Sequence, residues 1–241
     1  GHFSGRLTAP LVFAGAVAKQ ALAQYGIIVG SHILQINDIK EERFNPMGVS
    51  DAELAELHTK KFAVMDDAVG EKMQERILQA KSELNSVGGV IEAIALHLPA
   101  GIGAPYFDSV ESMLSHALFS VPAVKGVEFG DGFGFARLTG AEANDALHYV
   151  DGKVKALTNH NGGVTGGITN GMPFVVRVAI KPTPSIAREQ QTVSLKEQAD
   201  TTLAIVGRHD PCIVQRAVPV IEAVVAWTLW DLLLEAKKWE K

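Results

Sequence analysis

Leu11 to Tyr25 is apolar on nearly every side, with Thr8 able to cap it, Pro10 suited to a first turn and Gly26 placed to stop it, so a helix is predicted there. A helix without a polar face is buried on more than one side, and this one is expected between layers. Ile27 to Ile36 reads as a strand, with His32 as a half-buried structural histidine. Residues 38 to 46 form a charged connection. Ser50 and Glu53 then make a capping-box pair for a helix reaching about Phe62. Asp66 or Asp67 opens another, in which Val69, Met73, Ile77, Ala80 and Leu84 recur at helical spacing and the charges between them mark a solvated face.

Further on, Gly88 and Gly89 open a strand over Val90 to Leu98, and PAGIGAP follows as a turn-rich loop. Asp108 is placed to cap a helix with Val110, Met113, Leu114, Ala117 and Leu118 on one face. Val121 to Phe129 reads as a strand and GDGFG as a tight turn. That glycine pattern is not a dinucleotide fingerprint, because no helix follows it directly and its strand belongs to no βαβ unit. Pro173 to Lys181 alternates as a strand, 186 to 201 is a polar loop or edge hairpin, and Leu203 to Val206 is a short apolar strand. The chain closes with a long helix, central over Ala217 to Leu234, which Pro219 should kink or restart.

With 241 residues, 47% hydrophobic and 20% charged, the chain can bury a sizeable core and reads as a single domain over residues 1–241. A net charge of −5 leaves no broad basic surface, which argues against a nucleic-acid partner. The lone Cys212 cannot form an intrachain disulfide, a usage that fits a reducing cytoplasm, and no Cys and His spacing suggests a metal site. The last helix, interrupted by Glu222 and Asp231, reads as too short and too charged to span a membrane.

Candidate chemistry gathers in four places. In 207–211, Arg208, His209 and Asp210 crowd one connection, with Asp210 as N-cap and Pro211 as first helical residue. A helix start with a guanidinium beside it welcomes an anion. The blander alternative is that Asp210 only caps while Arg208 pairs with it. Arg6 places a second guanidinium near a helix start, unless it simply faces solvent. The glycine-rich stretch 159–171 offers accessible backbone N–H groups to a planar or anionic ligand, unless it is only a surface loop. After it, Lys181, Thr183 and Ser185 stand on a chain stiffened by Pro182 and Pro184, a combination suited to gripping phosphate.

GHFSGRLTAPLVFAGAV at the start and RHDPCIVQRAVPVIEAV near the end resemble two signature segments of the chorismate synthases, and AVKGVEFGDGF, NHNGGVTGGITNG and IKPTPS resemble blocks between them. The resemblance runs end to end and in order. It implies an α+β fold, a duplicated layered sandwich with helices buried between antiparallel β-sheets. It further implies a homotetramer that eliminates phosphate from 5-enolpyruvylshikimate 3-phosphate to give chorismate, using reduced FMN. Whether NADPH is the reductant is left open. By the same resemblance Asp210 is the catalytic acidic residue and Arg6 a substrate contact, while His2, Ser4, Ala123, Gly166, Lys181, Thr183, Ser185 and Arg208 face FMN; no metal is implied. Family members also carry an N-terminal segment with GESHG-type and RPGHAD-type motifs that this sequence does not contain. The expectation is therefore a C-terminal two thirds that is inactive by itself, the alternative being a flavin-binding or assembly remnant of the same fold.

Overall fold

The computed structural model describes residues 1–2 and 4–237. A 3-10 turn, Gly5–Thr8, leads into helix α1, Ala9–Ala23. Strands β1 (Ile28–Ile36) and β2 (Ile39–Lys40) and helices α2 (Asp51–Thr59) and α3 (Asp67–Ser82) follow. Next come β3 (Gly89–Leu96), α4 (Val110–Phe119), β4 (Val124–Phe129), and the short strands β5 (Leu147–Val150), β6 (Lys153–Ala156), β7 (Val164–Thr165) and β8 (Ile168–Thr169). Strand β9 (Phe174–Ile180), the hairpin β10 (Gln190–Ser194) and β11 (Ala199–Leu203), and helix α5 (Val214–Lys237) complete the chain.

One five-stranded antiparallel sheet, in the order β2-β1-β3-β9-β4, carries the fold, which is α+β. Helices α5, α4, α3 and α1 pack together with one face of it. The other face is covered in part by α2, whose Leu54 and Leu57 meet Ile94, Leu96 and Val175. Local signals set several boundaries as expected: Ser50 and Glu53 make a complete capping box for α2, and the Asp66 carboxylate accepts the first amides of α3.

Several expectations are corrected by packing. Ser109, not Asp108, caps α4, and β4 begins at Val124 rather than Val121. Leu84 ends α3's stripe exposed instead of buried. Strand β9 is buried on both faces rather than alternating, because the helical layer covers Phe174, Val176, Val178 and Ile180 on one face while α2 meets Val175 and two carboxylates meet Arg177 on the other. Leu203 ends β11, and no strand continues to Val206, which is 97% exposed. Helix α1 buries Gly15, Ala18 and Leu22 against its neighbours but turns Phe13 and Val17 outward, so it is covered on one side and not on two. A Cβ on Gly15 would stand 2.2 Å from the Cβ of Ala223, which shows how closely α1 and α5 approach.

Helix α5 is long and apolar enough to cross a membrane by length and composition, contrary to the sequence reading, but 72% of its most apolar window is buried in the protein. It is a core helix. Its buried Glu222 accepts hydrogen bonds from Lys19 and Ser31 and lies 3.1 Å from His58. Burial pushes the Glu222 carboxyl up, yet His58 and Lys19 carry it below the usual carboxylate range.

Across the second face runs a ladder of charges. His32, Glu92, Arg177 and Glu128 lie directly opposite one another on β1, β3, β9 and β4. Arg177 donates to Glu128 (2.7 Å), Glu92 (3.3 Å) and the Gly130 carbonyl (2.5 Å). His32 is fully buried, not half-buried, and is held between Glu92 and Glu41. Burial lowers the His32 pKa, but the hydrogen bonds and charges of Glu41 and Glu92 outweigh it and leave the value raised above 6.5. The stabilisation from His32 is therefore complete below pH 6.5 and is lost as pH rises through the raised folded-state value. Denaturant midpoints across neutral to alkaline pH should fall for the protein and fall less for His32→Gln; parallel profiles would contradict this.

Candidate functional site

The C-terminal end of β9 and the N-terminal end of β4 bring two sequence-predicted residues together. The Lys181 amide donates to the Ala123 carbonyl (2.9 Å), and Ala123 adopts a left-handed backbone, φ 74°, to present it. Beyond Lys181, whose side chain is exposed, Pro182 and Pro184 hold an irregular segment. Within it the Thr183 hydroxyl is buried and has no hydrogen-bond partner among the described residues. A buried, unpaired hydroxyl is costly, and a ligand acceptor at this position would relieve that cost. Ser185 is half-buried two residues further on.

The 207–213 connection reaches the same end of the sheet, since the Val87 amide just before β3 donates to the Pro211 carbonyl (2.8 Å). That long-range bond changes the expected helix start. Asp210 and Pro211 are drawn toward the sheet, α5 begins at Val214, and Asp210 is not its N-cap. Instead Asp210 pairs with Arg216 in the first turn (2.9 Å), while Arg208, the expected partner in the bland reading, stays exposed. His209 Nε2 donates to the Ile205 carbonyl (3.0 Å), in keeping with a structural role. The Val214 and Gln215 amides meet the sulfur of buried Cys212, whose pKa burial pushes up to about 11, so this thiol is held protonated and inert.

Helices α1 and α5 run parallel: Gly15 packs on Ala223, and the Tyr25 and Trp230 rings lie 5.8 Å apart. Both N-termini therefore point to one end of the molecule, but among the described residues no hydrogen bond or ion pair joins His2, Ser4 or Arg6 to the Asp210 connection. His2 and Arg6 are exposed, and the Ser4 hydroxyl caps the 3-10 turn by accepting the Arg6 amide (3.3 Å). Phe3, between them, lies outside the described residues.

Gly166 is elsewhere. It forms the tip of the β7–β8 hairpin with Gly167, both at positive φ. This hairpin sits at the opposite end of the sheet, beside Gly103 and the start of α4. The seven residues of β9 separate the two ends, roughly 20 Å at the usual strand rise. Its neighbours Gly162, Gly163 and Gly167 are glycines because a Cβ on any of them would meet other chain atoms within 3 Å. Around Gly166 there is open space. Nearby, Thr165, Asn161 and Asn170 help line a cleft of about 1060 Å³ under the β5–β6 hairpin. Asp145 on its wall accepts from Thr158, Asn161 and the His160 amide. Burial pushes its carboxyl up, but these hydrogen bonds bring it below the usual range.

The donor set at the Lys181 end suits a phosphate group: one exposed ammonium, a buried hydroxyl unpaired among the described residues, and a second hydroxyl. The sequence reading missed the Leu84–Gly89 segment, which touches both loops of the site, and the Arg177 ladder. A charge in the middle of FVVRVAI was the available signal for the latter.

Known proteins agree with one another on what the chain resembles. The family model described as chorismate synthase matches residues 1–234. The chorismate synthase of Thermococcus gammatolerans is 46% identical over 240 residues, covering 100% of this chain and 65% of that protein. That of Pyrococcus abyssi is 45% identical with the same coverage. A solved chorismate synthase crystal structure superposes with a TM-score of 0.79 at 31% identity, over 96% of this chain and 64% of its own. The chain thus spans about 65% of the length of the curated relatives it matches. With a family model matched over nearly all its residues and an agreeing fold, the chain belongs to the chorismate synthase family.

Proposed function

We propose that the intact gene product eliminates phosphate from 5-enolpyruvylshikimate 3-phosphate in a 1,4 sense to give chorismate, and that the Lys181–Ser185 end of the sheet holds the phosphate of FMN. The observation that carries the second half is the buried Thr183 hydroxyl, without a partner among the described residues and two positions from the exposed Lys181. Lys181 supplies charge, Thr183 and Ser185 supply hydroxyl donors, and the Ala123 carbonyl holds the Lys181 backbone. Reduced FMN, when bound, would lend an electron to the substrate ring and take it back, which gives no net redox change.

Arg6 brings a guanidinium suited to the anionic groups of the substrate, and Arg208 one suited to the flavin's phosphate. Asp210, half-buried and oriented by Arg216, holds and returns a proton at the flavin N5. Gly166 belongs to a separate part of the reading: its open backbone suits close approach of a planar group from the cleft side. Assembly as a homotetramer fits the outward Phe13 and Val17 of α1 and the β5–β6 hairpin, exposed along both strands but for Ala156.

Flavin titration tests the grip. Lys181→Ala should weaken FMN by roughly tenfold or more, the loss of a charge-assisted contact, while riboflavin, which lacks the phosphate, binds as before. Equal losses for both flavins, or none for FMN, would count against it.

A further inference from the structure

We infer that Ser86 is a positioning residue for the phosphate grip: its buried hydroxyl fixes the Pro182–Thr183–Pro184 segment from the far side and so aims Thr183 and Lys181 at their ligand. The inference rests on the reading of that segment as the FMN phosphate site. Prolines 182 and 184 have no N–H, so the segment between β9 and residue 185 gives up two of the donors by which a loop normally anchors itself. The anchor comes from outside. Ser86 Oγ donates to the Thr183 carbonyl at 2.6 Å, and Ser86 is itself 9% exposed. Its own amide is held by Asn85 Oδ1 (2.9 Å), which fixes the serine in turn.

Contacts on either side of Ser86 lock the same brace. The Arg188 amide donates to the carbonyl of Leu84 (3.2 Å), and Leu84 takes a left-handed φ of 56° in this segment. Val87 holds the Pro211 carbonyl, next to Asp210 (2.8 Å). A Cβ on Gly88 would stand 2.3 Å from the Ile180 carbonyl and 3.0 Å from Pro182, so only glycine lets the brace lie against the grip. Residues 84–88 thus touch the phosphate segment on both sides and the Asp210 connection at once. With the Thr183 carbonyl held by Ser86, its hydroxyl is left buried and unpaired, a preorganised donor that costs stability without a ligand.

The test titrates FMN and riboflavin, by flavin fluorescence, into the intact gene product as wild type, Ser86→Ala, Ser86→Thr and Ser86→Cys. Ser86→Ala should weaken FMN roughly tenfold, the worth of one buried hydrogen bond, and leave riboflavin unchanged. Ser86→Thr should restore most of the FMN affinity because it keeps the hydroxyl. Ser86→Cys, close in size with a weaker donor, should fall between and carries the test if the alanine variant does not fold. Wild-type FMN affinity in Ser86→Ala and Ser86→Cys overturns the inference and leaves the grip intact, as does an equal loss for both flavins. A wild-type protein that prefers neither flavin overturns the grip reading itself, and this inference with it.

Discussion

Asp210→Ala in the intact gene product is expected to lower chorismate formation by roughly 10²–10⁴-fold, the usual worth of a positioned acid or base, while FMN binds close to wild type. The split follows from position. Asp210 lies in the connection tied to Val87, not in the Lys181–Ser185 segment, and its carboxylate contacts Arg216. On the proposed reading, removing it takes away a proton carrier without removing a phosphate contact. Arg216→Ala should give a smaller loss, because it frees the Asp210 side chain but leaves it in place. Turnover with reduced FMN and 5-enolpyruvylshikimate 3-phosphate, alongside flavin titration, measures both. A parallel fall in FMN affinity would move Asp210 into the binding site, and unchanged turnover would remove it from the chemistry.

Arg177→Ala should cost about 3–5 kcal/mol of stability, because it leaves buried carboxylates without their partner. Glu92 is fully buried and would keep only His32 and the Phe44 amide. Glu128, which burial pushes up but Arg177 and the Phe133 amide hold below the usual carboxylate range, would lose its main support. Replacing Arg177, Glu92 and Glu128 together with apolar residues of similar volume should cost far less than the single change. Denaturant unfolding separates the outcomes. A loss under about 1 kcal/mol for Arg177→Ala would mean the ladder is solvated and not a closed network.

How much of this was readable beforehand divides by sequence distance. Features set within a few residues were legible: the Ser50 and Glu53 box, the Asp66 cap, the strand of β1 and the stripe of α3. The start of α5 was not. Asp210-Pro211 has every local mark of a helix opening, but the Val87 amide takes the Pro211 carbonyl from more than a hundred positions away and delays the helix to Val214. The phosphate segment was marked by its own residues, whereas its brace was invisible because Ser86 acquires a partner only through the fold. Gly166 shows the converse. The resemblance gives it the same ligand as Lys181, and strand register sets the two at opposite ends of the sheet. His32 was underestimated for the same reason, since Glu41 and Glu92 close around it from different elements.

A crystal structure of the intact gene product with FMN shows whether the flavin phosphate lies at the β9 end of the sheet. Phosphate oxygens are expected within hydrogen-bond distance of Lys181 Nζ and Thr183 Oγ1, with Asp210 near the isoalloxazine. A phosphate bound instead in the cleft beside Thr165 and Asn170, with the Thr183 hydroxyl still unpaired, would contradict that placement.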